Sequence, residues 1–345
     1  MKKIIQKITI ANRMLIALAL GVTAGIASAQ TITLKVHHFL PPSSTAHRNF
    51  IVPWCDKVAK ESSGRLKCQI YPAMQMGGSP PQLYDQAKDG VVDLVWTVPN
   101  YQAGRFPVIE AFELPFMVQD SERASRGLWH YAMKNATAEF KGIKPILFHV
   151  HDGSLIHTTK KQVKTLEDFK GLKMRAPTRQ GSKMLAALGA TPVSMPLPQA
   201  AEAMSKGVID GVVIPWEVVP AVKFDEVTKF HTEAAPGEAQ MANTVFIFAM
   251  NQAKYESLPP DLKKVIDANS GPEPSAWVGK VFVDDIIPGR KSAEARKNTF
   301  YTLPAAEFKR WEKATAGVTD EWIKDMTAKG FEGKRLFDEA KAACK

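Results

Sequence analysis

The segment GLKMRAPTRQGSKMLAALGA, residues 171–190, sets a cation at the end of a strand-like run: Arg175 follows Met174 and precedes the Ala176-Pro177 stop. A guanidinium there needs a counter-charge, and the sources left open are an acid such as Glu167 or Asp168, water, or a bound anion. A helix beginning near Gln180 and ending at Gly189 would present free N–H groups and a positive dipole close by. A planar fork of donors is also the side chain best matched to a carboxylate. This pattern points to recognition of an organic anion.

A second constellation points elsewhere. HVHD, His149 to Asp152, puts two imidazoles on one face of a strand, and His37, His38, His47 and His157 could supply further metal ligands. A metal-dependent hydrolase built on His149, His151 and Asp152 is therefore the rival class. The spacing identifies neither a third ligand nor a base, and the plainer reading is a polar strand end near a hinge. No G-x-S-x-G, Walker loop or G-x-G-x-x-G occurs. No cofactor, no bound metal and no enzymatic activity are expected.

The elements that must position Arg175 read as α/β. ITLKVHHF precedes an amphipathic stretch from about Ala46 to Ser62, RLKCQIYP precedes a helix from Ser79 to Lys88, and VVDLVWTVP follows. PQLYDQAKDGVVDLV at 81–95 aligns without a gap with PQAAEAMSKGVIDGV at 198–212, an offset of 117, each reading as a helix, a glycine cap and a strand. The shared punctuation predicts two similarly built lobes. Strand runs stop at Pro99, Pro177, Pro196 and Pro215, and proline ends a strand abruptly, so the residues at these ends should face a crevice. Ligands of open α/β sheets bind outside the carboxyl ends of strands. Trp96, Arg175 and Trp216 stand at such ends.

The amino terminus addresses the compartment. Lys2, Lys3, Lys7 and Arg13 precede the apolar run MLIALALGVTAGI, 13 residues, and Ala27-Ser28-Ala29 offers a cleavage site before Gln30. This reads as a signal peptide of residues 1–29, too short in its apolar part to span a bilayer, and places the mature chain in the periplasm. Its loss would reduce the formal charge from +10 to +6. The remaining charges are interspersed, without a nucleic-acid motif, so no nucleic-acid partner is expected. In an oxidising compartment Cys55 and Cys68 could pair or remain two buried thiols, and Cys344 reads as exposed and unpaired.

Taken together, ESSGRLKCQIYPAMQMGG (61–78), AKDGVVDLVW (87–96), FELPFM (112–117), TLEDFKGLKMRAP (165–177), LGATPVSMPLPQ (188–199), GVIDGVVIP (207–215) and SLPPDLKKVI (257–266) resemble the solute-binding proteins of tripartite ATP-independent periplasmic (TRAP) transporters. The resemblance implies a two-lobed periplasmic binding protein fold with hinge strands and a long carboxyl-terminal helix spanning both lobes. Lobe 1 would comprise residues 30–152 plus about 241–280, and lobe 2 residues 153–240 plus about 281–345. It implies that Arg175 binds the ligand carboxylate, with His38, Phe39, Trp96, Tyr101, Leu197, Ile214 and Trp216 around it. The implied partners are a small carboxylate and the TRAP membrane permease subunits, with a monomer favoured.

Departures from the family pattern narrow the ligand. Sugar-acid binders often carry a second arginine about 20 residues before the first and an asparagine before the proline of the DG…P segment; here those places hold Leu155 or Ile156, and Ile214. The expected ligand is an aromatic or other compact monocarboxylate, with C4-dicarboxylates and sugar acids as alternatives.

Overall fold

A computed structural model describes residues 31–344; the proposed signal peptide lies outside the described residues. Two mixed sheets organise the chain. The first has the order β2-β1-β3-β10-β4, built from Leu66–Tyr71, Ile32–His38, Leu94–Thr97, Val245–Asn251 and Ile143–Val150. β1 pairs parallel with β2 and β3, whereas β10 runs antiparallel to β3 and β4. The second has the order β11-β9-β5-β8-β6-β7, from Thr299–Thr302, Phe230–Glu233, Leu155–Thr158, Gly211–Ile214, Lys173–Ala176 and Thr191–Ser194. The chain leaves the first sheet after Val150, returns to it as β10, and re-enters the second as β11. These crossings make a two-lobed body with connections that can act as hinges.

The internal repeat has a structural counterpart. β3 and β8 begin and end at the same offset of 117, and Gly90 and Gly207 both take positive φ, 76° and 70°, at the helix-to-strand turn. The shared aspartates do the same work. Asp93 accepts the Lys35 N–H at 2.8 Å and Asp210 accepts the Lys173 N–H at 2.9 Å, so each carboxylate ties its strand to the parallel neighbour. Gly211 is required for a further reason: a Cβ there would stand 2.7 Å from the His157 carbonyl and from the Met174 sulfur.

The helix Ala305–Ala328, 24 residues, is long enough to reach across both lobes. Near its start Trp311 packs with Phe169 and Met174 behind the second sheet. Further along, Val318, Trp322 and Met326 join Leu128 and Phe148 behind the first, where the Trp322 indole donates to the Pro107 carbonyl at 3.2 Å. A third apolar cluster runs between the lobes, from Val36 and Trp96 to Val212 and Ile214.

Cysteine placement answers one open question and corrects one expectation. Cys55, on the helix Val52–Glu61, is disulfide-bonded to Cys68 on β2. Cys344 is free but buried, not exposed. The terminal helix Gly333–Ala343 docks on the helix Ser121–Asn135 at Gly127, where a Cβ would stand 2.1 Å from the Ala343 carbonyl oxygen. This close approach draws the chain end inward, and burial pushes the Cys344 thiol up to about 12.

Burial also sets the acid response of the fold. Loss of hydration pushes the imidazoles of His38 and His149 down to about 3, His151 and His157 to about 4, and His231 to about 2. These groups stay neutral in the folded chain but protonate near pH 6.5 when it unfolds. The stability they contribute is present above about pH 6.5 and is lost as pH falls toward their folded values. Glu113, pushed up to about 8 by burial, and Glu217, raised well above the ordinary carboxylate range, act with the opposite sign: their contribution is present at low pH and is lost as pH rises through the folded values. Burial also raises Glu139 to about 8 and shifts Asp152 upward, while it lowers His37 and His47, so seven imidazoles act against four carboxyls and outweigh them below about pH 6. Calorimetric scans should show Tm falling as pH is lowered from about 6.5 to 4.5, and a Tm independent of pH over that interval would contradict this assignment.

Candidate functional site

A tight cavity of about 40 Å³ lies between the sheets at the carboxyl ends of β1, β3, β6 and β8. From the first lobe it is lined by Phe39, Leu40, Trp96, Val98, Tyr101, Thr244 and Phe246; from the second by Arg175, Pro177, Leu197, Val213, Ile214, Pro215, Glu217 and Val218. His151 and Ser154, between β4 and β5, and Phe282 complete it. Repeat-equivalent positions face each other: Trp96 and Val213, and Val98 and Pro215, are each 117 residues apart and all line the cavity. Pro177 and Pro215 are two of the prolines that terminate the strand runs.

One wall is a stack of rings. Trp96 lies between Phe39, at 5.0 Å and 10°, and Phe246, at 4.9 Å and 1°. Tyr101 meets Phe39 edge-on at 5.8 Å. The Trp96 indole donates to His149 Nε2 at 2.9 Å, so that nitrogen carries the lone pair; Nδ1 carries the proton and donates to the Val150 carbonyl at 3.2 Å. The imidazole is thus fixed in one neutral tautomer and orients Trp96, while itself stacking on Phe246 at 4.8 Å.

Arg175 lies on β6 between Val193 of β7 and Val212 of β8, and it is 2% exposed. Its Nε donates to the Met195 carbonyl at 3.0 Å, whereas Nη2 is buried without a partner. Among the described residues it forms no ion pair. Glu167 pairs with Arg310 and Asp168 with Lys161, so the two acids considered from sequence are committed elsewhere. Burial pulls the Arg175 pKa down, opposed by the Tyr101 hydroxyl beside it; an arginine stays cationic in proteins nonetheless. Tyr101 is held there by the Leu197 N–H, which donates to its oxygen at 3.3 Å. This contact, like that of Glu110 with Arg179 and with Gln180 at 2.8 Å, joins the first lobe to the second.

The sequence-derived positions divide. Phe39, Trp96, Tyr101, Arg175, Leu197 and Ile214 line the cavity together, while His38 and Trp216 do not. His38 pairs with His47 at 2.9 Å. Trp216 points into the second lobe, where its indole donates to Glu233 at 2.8 Å and its ring packs edge-on against His157. The next residue, Glu217, lines the cavity instead. Phe246, Phe282 and Glu217 are among the lining residues not singled out from sequence; Phe246 sits in TVFIFAMNQA, whose uninterrupted apolar run gives no sign of which side chains face a cleft.

The histidines weighed as metal ligands are dispersed. His37 bonds Gln86 at 2.7 Å, His157 bonds His231 at 2.7 Å, and His151 Nδ1 contacts the Asp152 carbonyl. Among the described residues no group of three or more His, Cys, Asp or Glu is arranged to hold a metal ion. A larger cavity beside the connections, about 250 Å³, carries Asp152 and Glu238 on its walls and no lysine or arginine, and so disfavours an anion.

Comparison with known proteins agrees with this geometry. The chain matches the family model for bacterial extracellular solute-binding protein, family 7, over residues 36–325. It is 51% identical to a TRAP solute-binding protein from Rhodoferax ferrireducens T118 in complex with copurified benzoate, with a TM-score of 0.90 over 91% of this chain and 98% of that one. A marine metagenome TRAP solute-binding protein specific for aromatic acid ligands, from an unidentified microbe and in complex with 3-hydroxybenzoate, is 44% identical with a TM-score of 0.89 and the same coverage of both chains. The C4-dicarboxylate-binding periplasmic protein DctP of Rhodobacter capsulatus is 25% identical over 323 residues, 91% of this chain and 92% of that one. On the extent of these matches and the two-lobed fold, this chain belongs to the family 7 extracellular solute-binding proteins, the receptors of TRAP transporters.

Proposed function

We propose that this chain is a periplasmic receptor that captures an aromatic monocarboxylate between its lobes and delivers it to the membrane subunits of a TRAP permease. The observation that carries the reading is a buried guanidinium with an unpartnered Nη2 at the edge of a cavity walled by stacked rings. A carboxylate would supply the missing charge and acceptors, and a ring would fill the slot beside Phe39, Trp96 and Phe246. Apolar burial there contributes about 25 cal/mol per Å². Relatives that hold benzoate and 3-hydroxybenzoate support the class. A C4-dicarboxylate or a sugar acid fits less well, because Arg175 is the one cation among the lining residues and the wall at Leu197, Val213 and Ile214 offers hydroxyls no side-chain partner.

Removing one member of a buried ion pair costs about 3 to 5 kcal/mol. Arg175→Ala should therefore weaken benzoate binding by about two to three orders of magnitude in calorimetric titration, with the ligand-free Tm little changed. Arg175→Lys should recover only part, since a point charge lacks the fork. An alanine variant binding within about threefold of the parent would sink the assignment.

Motion follows from enclosure. Phe39, Trp96, Arg175, Leu197, Glu217, Phe246 and Phe282 are all under 10% exposed, so a ligand enters only if the lobes separate. The moving bodies on this reading are residues 30–152 with about 241–280, and residues 153–240 with about 281–345. A ligand stabilises closure only by binding the closed state better. Small-angle scattering should give a smaller radius of gyration with saturating benzoate than without; identical profiles would argue against hinge closure.

A further inference from the structure

Among the buried side-chain atoms of the cavity lining, two lack a hydrogen-bond partner: Arg175 Nη2 and Glu217 Oε2. The first is what a carboxylate needs. The second has no role in binding a plain apolar acid, and an unpaired buried oxygen costs about 1 to 3 kcal/mol. Glu217 lies on the turn Trp216–Val218, whose position is fixed on both sides. The Trp216 indole is anchored on Glu233, and Gly289 packs so closely that a Cβ there would stand 2.0 Å from the Trp216 carbonyl oxygen. With the turn held and Trp216 facing into the lobe, Glu217, 6% exposed, is left at the cavity.

We propose that the Glu217 carboxyl is a second recognition group of this cavity and selects a hydroxyl on the bound aromatic acid. The inference rests on the aromatic-monocarboxylate reading above and narrows it to hydroxylated rings. No cation pairs with Glu217 among the described residues, and the acids Asp152 and Asp285 oppose its ionisation. Burial together with these neighbours raises its pKa well above the usual carboxylate range and so favours the protonated form. A neutral carboxyl can both donate to and accept from a phenolic hydroxyl. It also adds no negative charge to a site that must take up an anion. Arg175 and Glu217 form no ion pair with each other, and so remain two separate demands on one ligand: an anionic group for the first and a neutral hydrogen-bonding group for the second.

The experiment is calorimetric titration of the full mature chain, stripped of copurified ligand, with benzoate, 3-hydroxybenzoate and 4-hydroxybenzoate, repeated on Glu217→Gln and Glu217→Leu. The parent should bind one of the hydroxybenzoates about three- to tenfold tighter than benzoate, the return expected from one neutral hydrogen bond. Glu217→Gln, a neutral isostere, should keep that ratio within about threefold, and Glu217→Leu should bring it to about one. A parent that binds benzoate as well as both hydroxybenzoates overturns the proposal while leaving the monocarboxylate reading intact, and so does a leucine variant that keeps the preference. If none of the three acids binds the parent, the aromatic reading itself fails. The ratio in the parent decides the matter even if the leucine variant does not fold.

Discussion

A buried guanidinium with an unmet donor is the constraint on which the rest of this molecule depends. Taking Arg175 out of water costs several kcal/mol, and the protein returns one carbonyl contact from Met195 and the nearby Tyr101 hydroxyl. On the function proposed above, an anion supplies the remainder. A deficit of this kind is tolerable only where the surroundings hold the group in place, and β6 is held on both sides, by β7 and β8. Tyr101 from the first lobe stands beside the guanidinium, so groups from both lobes meet at this charge.

The surroundings of the charge are largely apolar and ring-lined. The ring stack through Phe39, Trp96 and Phe246 excludes water and favours flat apolar bodies, and His149 gives the stack a fixed orientation by accepting from Trp96. The long helix Ala305–Ala328 and the crossings after Val150 and before Val245 connect the two halves without filling the space between them. Lobes tied by so few segments can part, and the apolar cluster that runs between them favours their return. On the function proposed above, specificity would come from geometry that is rigid within each lobe and adjustable between them.

Much of this was legible in the chain. Arg175 stood out because a cation before a proline stop breaks the apolar run of a strand, and the 117-residue repeat carried its aspartates and glycines into equivalent bonds and turns. The strand-ending prolines located the cavity for the same reason: they set where the ladder stops. What could not be read was side-chain direction beyond those stops. Trp216 and Glu217 are adjacent, and a short turn decides which enters the cavity; the deciding contacts come from Glu233 and Gly289, far along the sequence. The paired histidines of HVHD looked like ligands because alternation puts them on one face, whereas their partners, Trp96 and a local carbonyl, are visible only in the fold. Cys344 was misjudged because proximity to the chain end says nothing about whether the last helix docks.

The most direct test of the central claim is a crystal structure of the protein with 3-bromobenzoate, in which the bromine's anomalous signal places the ring independently of the protein. The halogenated ring should lie against Phe39, Trp96 and Phe246, with both carboxylate oxygens at about 2.7 to 2.9 Å from the Arg175 fork. A carboxylate bound away from Arg175, in the larger cavity beside Asp152 or turned toward Glu217, would contradict it.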